Sequence, residues 1–325
     1  MIKVVRLFED NMINHEMAMI DKLDLDIDFS VRPSFSEDEV IENAYAADVI
    51  ICVYEPLTKR VLQALPNLKL VMYRSIGFNS IDMDYANEIK LPVSHISQYC
   101  TDEVANYVLS AILMHNRRLN DFNYSVKVDR KWDCELYPGM RRLSSLTVGL
   151  IGFGNIPKLI TKRLMAFGPK VIAYDPYVTD DVFAEYEVER VELEDIFKNS
   201  DYISCHLPLN KATENIINGS LLNLVKEDSV FINSSRGGVV KEEDLLNSLK
   251  SGNLGYAILD VLSTEEPDLY NNELLNLENV VITPHVAFYS QEAFIQGAED
   301  NMKNLAEFLN GKAEKAEIVN LNKIS

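Results

Sequence analysis

The chain is poor in the features that point to an oxidising compartment, a polyanion or a membrane. Its four cysteines, Cys52, Cys100, Cys134 and Cys205, show no CxxC or CxxH spacing. They offer no zinc or dithiol redox motif, so no metal site is predicted. Isolated cysteines in a long chain suit a reducing compartment. Positive charge is also scarce, with 31 Lys and Arg against 50 Asp and Glu and a net charge of −19. A phosphate backbone would be repelled, because counterion release needs clustered basic residues, so no nucleic-acid partner is expected. The acidity reads as solubility. No run approaches the ~18 uninterrupted apolar residues of a membrane helix. The N-terminus lacks both a long apolar stretch and a small-residue cleavage site, so a cytoplasmic protein with no membrane partner is expected. There is no solenoid repeat and no low-complexity tract.

What is present is 47% hydrophobic and 25% charged residue in a chain of 325, a composition of globular proteins and a length that suits two domains. Short apolar runs alternate with helical patterns. Residues 2–8, 26–31, 49–53 and 70–73 read as strands, with helices near 12–21, 37–46 and 58–64 between them. That alternation predicts βαβ units and a parallel sheet. A long helix is predicted over 101–119, with Thr101 as N-cap and Glu103 in its first turn. An irregular loop around 131–142 leads into a second series of strands at 147–151, 170–174, 202–205, 229–232, 257–260 and 280–283. Most are rich in Val, Ile or Leu, as strands buried on both faces are. A last helix is predicted over 291–309, and the polar tail 311–325 is expected to pack loosely.

The segment Val148-Gly149-Leu150-Ile151-Gly152-Phe153-Gly154-Asn155-Ile156-Pro157 is a buried strand running into a glycine turn and a helix. The first turn glycine permits a tight bend, and the second lets a pyrophosphate approach backbone N–H groups at the helix start. A helix at 158–167 follows, then a strand ending at Asp175, where an acidic residue would meet the adenosine ribose of a dinucleotide. Pro157 stands where the fingerprint has its third glycine. Proline in a first helical turn costs little, since that N–H has no helical partner, but its ring adds bulk.

Three further strands end on reactive side chains: Phe231-Ile232-Asn233-Ser234-Ser235-Arg236, Leu259-Asp260-Val261-Leu262-Ser263-Thr264-Glu265-Glu266-Pro267, and Val280-Val281-Ile282-Thr283-Pro284-His285. Open parallel sheets bind ligands at the carboxyl ends of their strands, so an Arg, a Glu and a His delivered to one edge can converge on one substrate. Arg236 can hold a carboxylate by a two-pronged hydrogen bond. His285 can exchange a proton near neutral pH, and a Glu bonded to it would orient the ring and favour its charged form. With a nicotinamide, this is equipment for reducing a 2-keto acid. On spacing alone, the three also read as a surface arginine, a solvated turn and a packing histidine.

At these residues the chain resembles the D-isomer-specific 2-hydroxyacid dehydrogenase family. The resemblance covers nearly its whole length and is strongest over 146–290. The matching pieces are 148–155, Tyr174-Asp175-Pro176, Cys205-His206-Leu207-Pro208-Leu209, 233–237, Leu259-Asp260-Val261 and Thr283-Pro284-His285, and their order and spacing make the match specific. The resemblance implies NAD as cofactor and a 2-keto acid or D-2-hydroxy acid as substrate. Arg236 would bind the substrate carboxylate and carbonyl, His285 would be the acid/base, and Glu265 its partner. Glu266 sits between the usual Glu and Pro, and counting from Asp260 favours Glu265. Gly152, Gly154, Asn155 and Ile156 would line the pyrophosphate, Asp175 would take the ribose and Asp260 the carboxamide. His206, Pro208 and Ser235 are further cofactor-binding positions. The stretch Ser75-Ile76-Gly77-Phe78-Asn79 would offer backbone to the substrate carboxylate through Ile76 and Gly77. Tyr99 falls where D-lactate-type members place a substrate-facing tyrosine, and 285–289 also resembles that branch.

The fold implied is α/β with two Rossmann-like domains and parallel sheets. The cofactor domain, 100–290, is inserted into a discontinuous substrate domain, 1–99 and 291–325, with the active site in the cleft and a homodimer as the assembly, contacting around 117–132. Asn106 departs from the acidic residue common in the helix after Tyr99. The family also holds an NAD-sensing, corepressor-like branch, the second reading here, which has no need of an acid/base set. A formate-oxidising branch pairs its His with Gln rather than Glu. Asp175 would repel the 2′-phosphate of NADP.

Overall fold

The computed structural model describes residues 1–23 and 25–324. The chain divides into two compact units, Met1–Cys100 with the segment from Tyr289 onward, and Thr101–Phe288. In the first, β1 (Ile2–Arg6), β2 (Ile27–Val31), β3 (Val49–Cys52), β4 (Leu70–Tyr73) and β5 (Val93–Ser94) form a parallel sheet in the order β2-β1-β3-β4-β5. The runs Val-Ile-Ile-Cys and Leu-Val-Met-Tyr of β3 and β4 are buried along their whole length, because apolar clusters cover both sheet faces. Strands enclosed in this way need apolar residues at every position rather than alternation. β5 is only two residues long, too short to carry a period that a sequence could display.

The tail corrects the expectation of loose packing. Ser94 and Ile318 form an antiparallel bridge, and Val319 N donates to the Val93 carbonyl at 2.8 Å. Asn320 accepts from Val93 N at 3.0 Å and donates to the Leu91 carbonyl at 2.9 Å. Ala316 and Asn320 are buried. Backbone pairing and one asparagine do this work, so the polar composition concealed it.

In the second unit β6 (Thr147–Ile151), β7 (Lys170–Tyr174), β8 (Glu189–Arg190), β9 (Tyr202–Cys205), β10 (Val230–Asn233), β11 (Tyr256–Leu259) and β12 (Val280–Ile282) pair in parallel, in the order β12-β11-β10-β9-β6-β7-β8. The order reverses between β6 and β9, the switch point where doubly wound sheets bind ligands. Register aligns Tyr174, Ile151, Cys205, Asn233, Leu259 and Ile282 in one row across six strands. Every chemical position in this unit follows that row by one to six residues.

The helix expected over 101–119 ends at Asn116. Arg118 adopts left-handed backbone, φ 46°, and a second helix, Leu119–Lys127, follows. No glycine or proline marks the break, so the apolar pattern runs through it. The helix after the glycine turn spans Asn155–Met165, three residues earlier than the sequence suggests, capped at Gly154. Residues 131–142 contain no helix or strand. No helix among the described residues is long and apolar enough to cross a membrane.

Candidate active site

The glycine turn leaves β6 at the switch point. Gly152 has φ +90°, and a Cβ there would stand 3.0 Å from the carbonyl oxygen of His206, the first residue past β9. A side chain at 152 is excluded by both the backbone conformation and the neighbouring strand. Next along the turn, Phe153 N donates to Asp175 Oδ2 at 2.9 Å, while Asp175 Oδ1 accepts from Tyr177 N and Val178 N. Asp175 therefore fastens the end of β7 to the glycine turn. The N–H groups of Gly154, Asn155 and Ile156 donate to no acceptor among the described residues, as expected at a helix start. A Cβ at Gly154 would meet nothing within 4 Å. Pro157 lies buried in this first turn, and its carbonyl accepts from Thr161 Oγ1 at 2.9 Å.

His206 N donates to Ile151 O at 2.8 Å. Its ring Nε2 lies 2.9 Å from the hydroxyl of Ser204. Dense packing around it lowers its pKa to about 3, so the imidazole is neutral. Pro208 is exposed, and its carbonyl accepts from Thr213 Oγ1 at 2.5 Å.

Past β11 and β12, one buried carboxylate organises a loop. Asp260 Oδ1 accepts from Thr283 Oγ1 at 2.5 Å and Val286 N at 2.8 Å, and Oδ2 accepts from Ala287 N at 2.8 Å. Thr283 spends its only proton on Asp260, so the Tyr107 hydroxyl, 2.6 Å away, donates to Thr283. Burial first, then the charge of Asp260, push Tyr107 up to about 12 against the lowering effect of that hydrogen bond, which keeps it a donor. The Asp260 carbonyl also accepts His285 N at 2.8 Å. This frame holds His285 in left-handed backbone, φ 50°, a conformation that a non-glycine residue keeps only when its surroundings over-determine it.

The His285 ring presents Nδ1 to Glu265 Oε2 at 2.7 Å. Glu265 is thus the residue against the histidine, while Glu266 N bonds Thr264 Oγ1. Burial works to raise the Glu265 carboxyl, but the hydrogen bond and charge of His285 and the charge of Arg236 outweigh it and hold it below the usual range. Phe288 meets the His285 ring edge-on, with centroids 6.0 Å apart.

Arg236 is brought to this pair by a tight turn after β10. Buried Asn233 donates through Nδ2 to the Arg236 carbonyl at 3.0 Å and accepts Ser235 N at 3.0 Å. Ser235 Oγ lies 2.8 Å from the same Asn233 oxygen. Gly237 then passes directly over Leu262, whose carbonyl would overlap any Cβ at 237. The loops bearing Arg236 and Glu265 are therefore packed backbone on backbone.

In the first unit, Ile76 and Gly77 lie in the loop after β4. Their carbonyls are occupied: His95 Nδ1 lies 2.9 Å from Ile76 O, and Ser75 Oγ donates to Gly77 O at 2.7 Å. Their N–H groups donate to no acceptor among the described residues. Tyr99 packs its ring on Gly297 and lies near enough to Arg74 to act on its charge.

Three adjacent helix-start donors with open space before them, and a carboxylate at the end of β7, fit the pyrophosphate and ribose of a dinucleotide. The model of the D-isomer specific 2-hydroxyacid dehydrogenase NAD binding domain matches residues 109–287. A hydroxypyruvate reductase of Thermotoga maritima is 35% identical over 259 residues, covering 79% of this chain and 83% of that protein. A putative D-lactate dehydrogenase of Dictyostelium discoideum is 30% identical over 297 residues, covering 86% of each. The solved D-lactate dehydrogenase of Aquifex aeolicus, complexed with NAD and lactic acid, superposes with a TM-score of 0.86 at 29% identity and 98% coverage of both chains.

The chain belongs to the D-isomer-specific 2-hydroxyacid dehydrogenase family. It is an NAD-dependent D-2-hydroxyacid dehydrogenase. Several residues that frame these loops of the second unit carry no role in the sequence: Asn233, Thr283, Gly237 and Tyr107. Asn233 and Thr283 carried a weak signal, since each is a hydrogen-bonding side chain at the end of an otherwise apolar strand. The Gly237-Gly238 pair after Arg236 was another. Asn106, which departs from the family pattern, accepts from Arg163 at 2.8 Å and donates to Asp102 at 2.9 Å, so it joins two helices rather than serving the site.

Proposed function

We propose that this dehydrogenase reduces a small 2-keto acid to the D-2-hydroxy acid, with His285 as acid/base, Glu265 as its partner and Arg236 holding the substrate carboxylate and carbonyl. The 2.7 Å bond from His285 Nδ1 to Glu265, made beside Arg236, carries the reading. NADH, when bound, supplies the hydride received by the 2-carbon. His285 supplies the proton: with Nδ1 engaged by Glu265, the ring gives up the proton on Nε2 to the carbonyl oxygen. Glu265 holds the ring in place through Nδ1, and Arg236 polarises the carbonyl as negative charge grows on its oxygen. Gly152, Gly154, Asn155 and Ile156 would hold the pyrophosphate and Asp175 the ribose. Asp260 would take the carboxamide on its remaining acceptor capacity at Oδ2, with His206, Pro208 and Ser235 lining the cofactor. Ile76 and Gly77 N–H would bond the substrate carboxylate, and Tyr99 would face the substrate side chain, as in the D-lactate-like branch.

The test is turnover of NADH with a panel of 2-keto acids (glyoxylate, pyruvate, hydroxypyruvate and larger apolar acids), followed by absorbance. Loss of turnover with every acid, or turnover that His285→Ala leaves unchanged, overturns the reading. We also propose a homodimer. Leu119, Tyr124, Val128 and Trp132 are each more than half exposed, an apolar surface of the kind that marks protein contacts. A monomer by light scattering at working concentration would rule it out.

A further inference from the structure

We propose that His95 is a positioning residue for the substrate carboxylate, acting through a single peptide unit. The inference rests on the reading that Gly77 N–H meets that carboxylate. His95 Nδ1 lies 2.9 Å from the carbonyl oxygen of Ile76. A carbonyl only accepts, so the ring is the donor and carries its proton on Nδ1. The Ile76 carbonyl and the Gly77 N–H belong to the same planar trans peptide and point in opposite directions. Fixing one fixes the other. The bond to the carbonyl also polarises the peptide and strengthens the N–H as a donor.

The peptide needs an anchor of this kind. Its C-terminal residue is glycine, which leaves the backbone free to rotate, and neither Ile76 N nor Gly77 N is held by an acceptor among the described residues. His95, by contrast, is fixed from several sides. Its N donates to Glu317 O at 3.3 Å, and its carbonyl accepts from Asn304 Nδ2 at 3.0 Å. The preceding Ser94 hydroxyl donates to Ala316 O at 2.6 Å, and the following Ile96 N donates to Ser75 O at 3.3 Å. Phe78 braces the imidazole edge-on, 5.6 Å between centroids at 88°. The last helix and the tail thus hold the histidine, and the histidine holds the loop.

The test measures kcat, keto-acid KM and NADH Kd for the wild type and for His95→Leu, His95→Asn, His95→Gln and Gly77→Pro. An asparagine amide nitrogen occupies about the place of the ring Nδ1, whereas glutamine carries its amide about one bond further out. His95→Leu is expected to raise the keto-acid KM about tenfold, the worth of one hydrogen bond, with kcat within about twofold and NADH Kd unchanged. His95→Asn should recover most of the loss and His95→Gln little. An unchanged KM in His95→Leu, or Asn no better than Gln, overturns the proposal. Gly77→Pro removes the N–H itself. If it leaves KM unchanged, the carboxylate reading falls and this proposal with it. If it raises KM while His95→Leu does not, the reading stands and only the role of His95 is lost.

Discussion

Gly237 crosses Leu262 so closely that the Leu262 carbonyl fills the space of a side chain at 237. That contact sets the spacing between the turn that presents Arg236 and the loop that leads to Glu265. Gly237→Ala should force the two loops apart. Overpacking costs about 1–3 kcal/mol, and here the neighbour is backbone, which yields less readily than a side chain. The expected result is a lower urea midpoint together with a loss of kcat/KM larger than the stability change explains, because Arg236 moves with its loop. An alanine variant with wild-type kcat/KM would show that the spacing does not matter to catalysis.

Glu265 and Glu266 are neighbours with different partners, and their substitutions should separate. Glu265→Gln keeps an acceptor for His285 Nδ1 but removes the negative charge beside the ring. Reduction should fall by about 10²-fold, at the low end of what general acid–base groups contribute. Glu265 itself is held below the usual carboxylate range, so the wild type keeps its anion, and with it the pair, well into mild acid. Glu266→Gln should lie within about twofold of wild type at every pH, as a surface change outside the pair does. The reverse ranking would mean that Glu266 takes the position in the working enzyme.

The strand ends were legible in the sequence because strands buried on both faces must be apolar at every position. Where such a run gave way within three residues to Asp175, Arg236 or His285, the change was visible. The register that sets those ends in one row was not, since it depends on pairing across six strands. What a sequence hides is the reason each reactive residue points as it does. Asp260 reads as one acid after a strand, yet it bonds three groups of the 283–287 loop. His95 reads as an isolated histidine because its partner Ile76 is a backbone carbonyl, which leaves no mark in composition. The docking of the tail at 316–320 is hidden in the same way, since it rests largely on backbone pairing.

A second buried network, also silent in the sequence, supports the first unit. Arg6 Nη1 and Arg74 Nη1 lie 2.8 and 3.0 Å from the two oxygens of Glu16, and Asp10 pairs with both arginines. Arg6 and Glu16 are fully enclosed. Glu16→Leu leaves two guanidiniums facing one carboxylate and should cost about 3–5 kcal/mol, the penalty for breaking a buried pair. Glu16→Gln should cost less, because burial, against the charge and hydrogen bond of Arg6, raises the Glu16 carboxyl to about 7 and brings its neutral form within reach. A carboxyl whose folded pKa lies above its unfolded value loses stability as pH rises through the folded pKa. The wild type should therefore lose ground to Glu16→Gln between about pH 4.5 and 7, read by urea unfolding at each pH. A gap constant across that range would show that Glu16 ionises as an ordinary carboxylate.

Asp175 accepts Phe153 N of the glycine turn, and in the proposed ribose site its carboxylate would also repel a 2′-phosphate at close range. Asp175→Ala should lower the preference for NADH over NADPH by at least about tenfold, the worth of about 1.4 kcal/mol, while also weakening NADH binding through the loosened turn. Asp175→Asn keeps an acceptor for Phe153 N without the charge, so it should relax the preference with a smaller loss of NADH affinity. Equal NADH affinity in the two variants would mean that the bond to Phe153 contributes nothing.

Pro157 stands one residue past the donors of Gly154, Asn155 and Ile156, buried in the first turn of its helix. Those donors precede the proline ring, and the position it fills has no N–H partner within the helix in any case. Pro157→Gly is thus expected to leave NADH affinity equal or tighter, since it adds a fourth N–H to the same helix start. It should lower stability by about 0.5–1 kcal/mol, because glycine loses more backbone freedom on folding than proline does. Fluorescence titration with NADH and a melting curve separate the two effects. Markedly weaker binding at unchanged stability would mean that the ring shapes the pyrophosphate site itself, and the departure from the glycine fingerprint would then be part of how this enzyme holds its cofactor.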